Sequence, residues 1–126
     1  LVWRKERETL EAAKKREAEL RALLEDRERK RGIRTTLGDF LGRGQELMMR
    51  CADEQHDPPN DEANLWAEQV EAFLSSHLDG SFIARFRDGS NLPMVANAIA
   101  SIPHRNLWGG IRVRLARLQE FIRESA

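Results

Sequence analysis

The chain has 126 residues, of which 21 are Lys or Arg, 21 are Asp or Glu and 40% are hydrophobic. That length holds one domain rather than two, and the apolar fraction is too high for a disordered chain. No apolar run of ~18 residues is present to span a bilayer, zero net charge argues against a globally basic nucleic-acid binder, and a single cysteine excludes an internal disulfide framework and fits a reducing compartment.

The neutrality is a cancellation of unlike segments. Residues 1–34 net +4, residues 35–91 net −7 and residues 92–126 net +3. All four lysines (Lys5, Lys14, Lys15, Lys30) lie in the first segment, and every cation after Lys30 is arginine. Such asymmetry bears on association and orientation rather than on fold. The chain begins at Leu1 rather than Met, as a piece of a longer protein would. Leu1-Val2-Trp3 followed by Arg4-Lys5 is the pattern of a transmembrane helix leaving on the cytoplasmic side. It fits a membrane anchor upstream of Leu1, but the start of a soluble helical arm is the preferred reading.

Residues 3–31 lack Gly and Pro and are rich in Glu, Arg, Lys, Ala and Leu, all strong helix formers. Glu11 with Lys15 and Glu17 with Arg21 stand at helical ion-pair spacing. A heptad frame puts Trp3, Leu10, Glu17 and Leu24 at one seam position and Glu6, Ala13, Leu20 and Arg27 at the other. The seam is thin, so a short parallel dimeric coiled coil and a lone charged stalk both fit, with the dimer preferred. Arg29-Lys30-Arg31-Gly32 reads as the end of this helix. Thr36, with Asp39 three residues on, reads as the cap of the next.

That next helix is expected to run to about Ala52, with Leu37, Phe40, Leu41, Met48 and Cys51 on one face and Leu47 at its edge. Gly44 interrupts the same face. A glycine there costs about 1 kcal/mol of helix propensity, so close approach of a neighbouring helix or a bulky side chain is the expected compensation. Pro58-Pro59 fixes an extended connection, after which Asn60 or Asp61 caps a helix with Trp66, Val70, Phe73 and His77 in a stripe flanked by Ala63 and Leu74. Phe82, Ile83 and Phe86 suggest a short helix between Asp79-Gly80-Ser81 and Asp88-Gly89. Residues 92–102 are small and apolar, and their alanines favour a helix that opens at Pro93 and stops at Pro103. A last helix over roughly 105–124 turns Leu107, Trp108, Ile111, Leu115, Leu118, Phe121 and Ile122 to one broad face. The fold expected is all-α: a long charged helical arm at 1–34, then a compact bundle of four to five helices at 35–126.

Chemistry is sparse. Cys51 and His56, with Asp53 and Asp57, are the nearest approach to a metal set, yet a structural zinc site wants four ligands in paired short spacings. No metal or cofactor is expected. Cys51 lies on an apolar helix face, the wrong setting for a reactive thiolate. His77 reads as a core histidine with one hydrogen bond. No phosphate loop, dinucleotide fingerprint or catalytic triad is present, so no catalytic residue is assigned and no enzyme is expected. His104, Arg105, Trp108, Arg112 and Trp66 are the candidate partner-binding residues. The arginines of the last helix frame its apolar face and are suited to pairing with the acidic middle segment. The expected function is a non-enzymatic interaction or oligomerisation module. It would be cytoplasmic, free or tethered at the membrane's cytoplasmic side, and its partner another protein or a second copy through the N-terminal helix. The alternative is nucleic-acid binding through the basic arm and the last helix, against which the overall neutrality weighs.

Overall fold

The computed structural model is all-α. It comprises α1 (Val2–Cys51), α2 (Asn60–His77), α3 (Ser81–Arg87) and α4 (Ile102–Glu124), so a long N-terminal helix is followed by a helical bundle. The structure describes the backbone of residues 2–126 and the side chains of residues 5–126. The reading built on Leu1, Val2, Trp3 and Arg4 falls outside the described side chains. Among the described residues there is no strand, and no helix is long and apolar enough to cross a membrane. Contacts divide the chain into two units, residues 1–32 and residues 33–126.

Among the described residues of the first unit, 5–32, the helix is solvent-exposed almost throughout. Glu17 pairs with Arg21 at 3.4 Å, as its spacing predicts. Asp26 takes both Arg29 at 2.9 Å and Lys30 at 3.3 Å, and hydrogen bonds from these two cations hold its carboxyl below the ordinary value. Solvent screens exposed pairs of this kind, so they add little to stability.

The expected helix end at Gly32 is not found. α1 is bounded at Cys51, and no glycine has the positive φ that a helix-terminating glycine adopts. Thr36 is therefore inside a helix and caps nothing. The reason lies in the residues after the glycine. Ile33, Leu37, Phe40, Leu47 and Cys51 are all buried, and with Gly44 they keep a strict three-four spacing. Burying such a face gains far more than the ~1 kcal/mol one glycine costs.

The core of the second unit joins this face to Ala63, Trp66, Val70 and Leu74 of α2, Phe86 of α3, and Ile111, Leu115, Leu118 and Phe121 of α4. Helix α3 packs against both α2 and α4. Aromatic edges organise the centre: Trp66 meets Phe86 at 6.1 Å and Phe82 meets Phe121 at 5.0 Å, both T-shaped. The α2 cap differs from expectation. Pro59 precedes the helix, no side chain caps it, and the Ala63 amide donates to the Pro59 carbonyl at 2.9 Å. Asp61 and Glu62 in the first turn suit the positive end of the helix dipole.

Gly44 has the close neighbours its position demands. A Cβ built there would lie 2.5 Å from Leu115 Cδ2 and 2.5 Å from Trp66 Cζ2. Its absence lets the Trp66 ring reach the backbone of α1, where Nε1–H donates to the Phe40 carbonyl at 2.9 Å. Gly38 and Gly42 have nothing within 4 Å of a built Cβ. Gly38→Ala and Gly42→Ala are therefore expected to stabilise the protein by up to about 1 kcal/mol each. Thermal unfolding checks this, and a lower midpoint for either would contradict it.

Residues 92–101 depart from the expected helix and are irregular. Two causes are visible. Pro103, expected to stop a helix, lies in the first turn of α4, where its missing N–H costs nothing. The segment's apolar side chains, moreover, find little to pack on: Ile99 is buried, but Met94 and Val95 are exposed. Asn91 turns the chain with φ 64°, a left-handed conformation that asparagine tolerates.

Candidate interaction surface

The entry to α4 gathers several of the predicted residues. His104 lies in the first turn of α4 and is only 7% exposed. Its Nε2 is 2.7 Å from the His56 carbonyl in the α1–α2 connection. A carbonyl oxygen only accepts, so Nε2 carries the proton. Its Nδ1 is hydrogen-bonded with the Ser101 hydroxyl at 2.6 Å. His104 thus joins two connections from inside, and its buried ring is not available as a contact residue. Beside it, His56 Nδ1–H donates to Asp53 at 2.6 Å. That bond, together with the Gln55 amide, holds the Asp53 carboxyl below its usual value.

The other candidates are dispersed. Arg105 is exposed, and Trp108 is half-buried against the core. Trp66 is 1% exposed, so it belongs to the core and not to a contact surface. Its place on the α2 stripe was the signal for that. Arg112 is half-buried and donates to the Pro93 carbonyl at 2.7 Å.

The α4 arginines do not take the acidic partners expected of them. Arg117 Nε donates to the Asp88 carbonyl at 2.8 Å and its Nη2 to the Ser90 carbonyl at 2.7 Å. The same guanidinium reaches Glu120 on its own helix at 2.9 Å. Arg114 lies over the Phe86 ring, 5.8 Å from its centroid. Arg112 and Arg117 thus fasten the α3–α4 connection by its backbone. Sequence reasoning missed this clamp because main-chain carbonyls carry no residue-type signal. The ion pairs between helices use other arginines: Arg50 with Glu62, Arg87 with Glu71, and Arg85 with Glu124 at 2.9 Å. Hydrogen bonding to Arg50 lowers the Glu62 carboxyl from its usual value.

A shallow cleft of about 220 Å³ opens between α1 and α2, with Leu47 and Trp66 among its lining residues and Arg43, Arg50 and Glu62 at its edges. Arg50 is engaged by Glu62, and Arg43 donates to Gln69 at 2.6 Å. The cleft therefore presents one charge pair, Arg50 with Glu62, beside Arg43 and Glu46.

The two groups weighed for chemistry are placed unlike each other. Cys51 is buried, its Sγ–H donates to the Leu47 carbonyl at 3.4 Å, and burial pushes its thiol up. A thiol held protonated in the core is a poor nucleophile. His77, expected in the core, is exposed at the last turn of α2. It stacks on Phe73 at 4.4 Å and keeps one hydrogen bond, to the Phe73 carbonyl at 3.2 Å. The stripe fails there because the helix ends, leaving His77 beyond the packed face. Among the described residues no three His, Cys, Asp or Glu side chains are grouped to hold a metal ion.

Set beside known proteins, the chain matches no family model, no curated protein and no solved structure.

Proposed function

We propose that the chain is a non-enzymatic helical interaction module that self-associates through residues 1–32 as a two-stranded coiled coil. The observation that carries this is the exposure of the arm's leucines: Leu10 is 56% exposed, Leu20 57%, Leu23 64% and Leu24 59%. Leu10, Leu20 and Leu24 lie on the heptad seam with Ala13. An isolated helix gains nothing from such side chains, whereas a paired helix buries them. The lone buried Cys51 suits a reducing interior such as the cytoplasm. Nucleic-acid binding is less well supported, because Arg112 and Arg117 are engaged by the chain's own carbonyls.

Light scattering on the full chain tests this proposal. A dimer mass is expected at high protein concentration, and Leu20→Glu with Leu24→Glu is expected to return a monomer with unchanged helical content in the bundle. A monomer at every concentration would sink the proposal, as would a dimer that survives both substitutions.

A further inference from the structure

The seam of the arm carries charges as well as leucines. Glu6, Glu17 and Arg27 occupy the same two heptad positions as Leu10, Leu20 and Leu24. Glu17 and Arg27 are exposed, and Glu17 meets Arg21 of its own helix at 3.4 Å. A parallel pair, the order expected from the leucine spacing, sets every seam residue against its own copy. Glu6 then faces Glu6, Glu17 faces Glu17 and Arg27 faces Arg27. Such layers strip water from like charges and return no opposite charge in exchange.

An antiparallel pair sets one seam position against the other, and a two-fold axis makes each contact occur twice. With the axis at Ala22, Glu17 of one copy faces Arg27 of the other, and Leu20 faces Leu24. Two leucine layers are thus closed at both ends by layers of opposite charge. Leu23, 64% exposed and off the seam, faces its own copy beside the axis and extends the apolar patch. Sliding the copies by one heptad loses the match. In one direction Glu17 faces Leu20, and in the other Arg27 faces Leu24. The flanks decide less, because they stay in water. There Lys14 faces Glu28 of the other copy. Arg16 faces Lys30, whose charge Asp26 already meets at 3.3 Å, and Arg21 faces its own copy, each beside a Glu17.

We propose that the arm pairs with a second copy of this chain in antiparallel order about Ala22, with the Glu17 and Arg27 layers setting the direction. This rests on the self-association proposed above, and the test separates the two. Spin labels on Ala22→Cys and, separately, on Glu8→Cys are read by dipolar coupling in the full chain. Both positions lie on the heptad's outer face, and the buried Cys51 takes no label. Labels at position 22 are expected about 20 Å apart. Those at position 8 lie two heptads from the axis on either side, and are expected roughly 45 Å apart. Parallel order would hold both pairs near about 20 Å.

Dimer affinity gives a second reading. Glu17→Arg is expected to weaken association at least ~10-fold, because it sets a cation against Arg27. Adding Arg27→Glu is expected to restore it. In parallel order Glu17→Arg only exchanges one like-charge layer for another. Short distances at both positions would overturn the antiparallel order and leave self-association standing. So would a dimer indifferent to Glu17→Arg, or a loss that Arg27→Glu does not restore. A monomer by light scattering at every concentration would overturn both readings.

Discussion

Trp66→Ala is expected to cost about 4 kcal/mol, the range for deleting a large buried aromatic. Trp66 is 1% exposed, packs edge-on to Phe86 and donates to the Phe40 carbonyl. It touches α1, α3 and the space opposite Leu115, so its loss empties the centre of the 33–126 unit. A unit of this size holds some 5–15 kcal/mol in total, and the midpoint of thermal unfolding is expected to fall by roughly 20 °C or more. Trp66→Phe should be milder, at about 1–2 kcal/mol. It keeps an aromatic edge for Phe86 and gives up the indole hydrogen bond. The Phe40 carbonyl is not orphaned, because the helix supplies its own donor four residues on, at Gly44. A midpoint for Trp66→Ala within a few degrees of wild type would contradict this account of the core.

Gly44→Ala is expected to destabilise by about 2 kcal/mol, although alanine is the better helix former. The new methyl gains about 1 kcal/mol of propensity, and overpacking in a tight core costs about 1–3 kcal/mol or more. Overpacking wins because the built Cβ lies 2.5 Å from two neighbours, and the Trp66 ring is pinned by its hydrogen bond. The penalty should therefore depend on the indole. In a Trp66→Phe background the cost of Gly44→Ala is expected to shrink by about 1 kcal/mol, as coupled neighbours do. Chemical denaturation of the four proteins in that cycle supplies the measurement. Strict additivity, or a Gly44→Ala variant as stable as Gly38→Ala, would remove the steric explanation.

Much of this core was legible beforehand, and the exceptions have physical causes. The faces of α2 and α4 were readable because apolar periodicity reports burial directly: Trp66, Val70, Ile111, Leu115, Leu118 and Phe121 all lie inside. Gly44 was readable because a glycine amid apolar neighbours needs a reason. Gly32 misled because its cations and the threonines after it are local signals, whereas the burial of Ile33 and Leu37 is a tertiary one. Residues 92–101 misled in the opposite sense: local preference for helix was present, but no face of the bundle receives one. Among the candidate contact residues, Arg105 is exposed, while His104 and Trp66 are internal. For His104, burial depends on a backbone carbonyl 48 residues away in sequence, which no spacing rule encodes.

The arginine clamp on the α3–α4 connection has a chemical character of its own. An ion pair such as Arg50 with Glu62 rests on an acceptor that titrates. The Glu62 carboxyl is held low by its partner, so the pair contributes above the unfolded carboxylate value and is lost as acid drives the pH through the lowered one. The carbonyls of Asp88, Ser90 and Pro93 take up no proton over that range, and they carry no charge for salt to screen. Acidification therefore loosens the brackets between helices while the carbonyls of Asp88, Ser90 and Pro93 stay tied to α4.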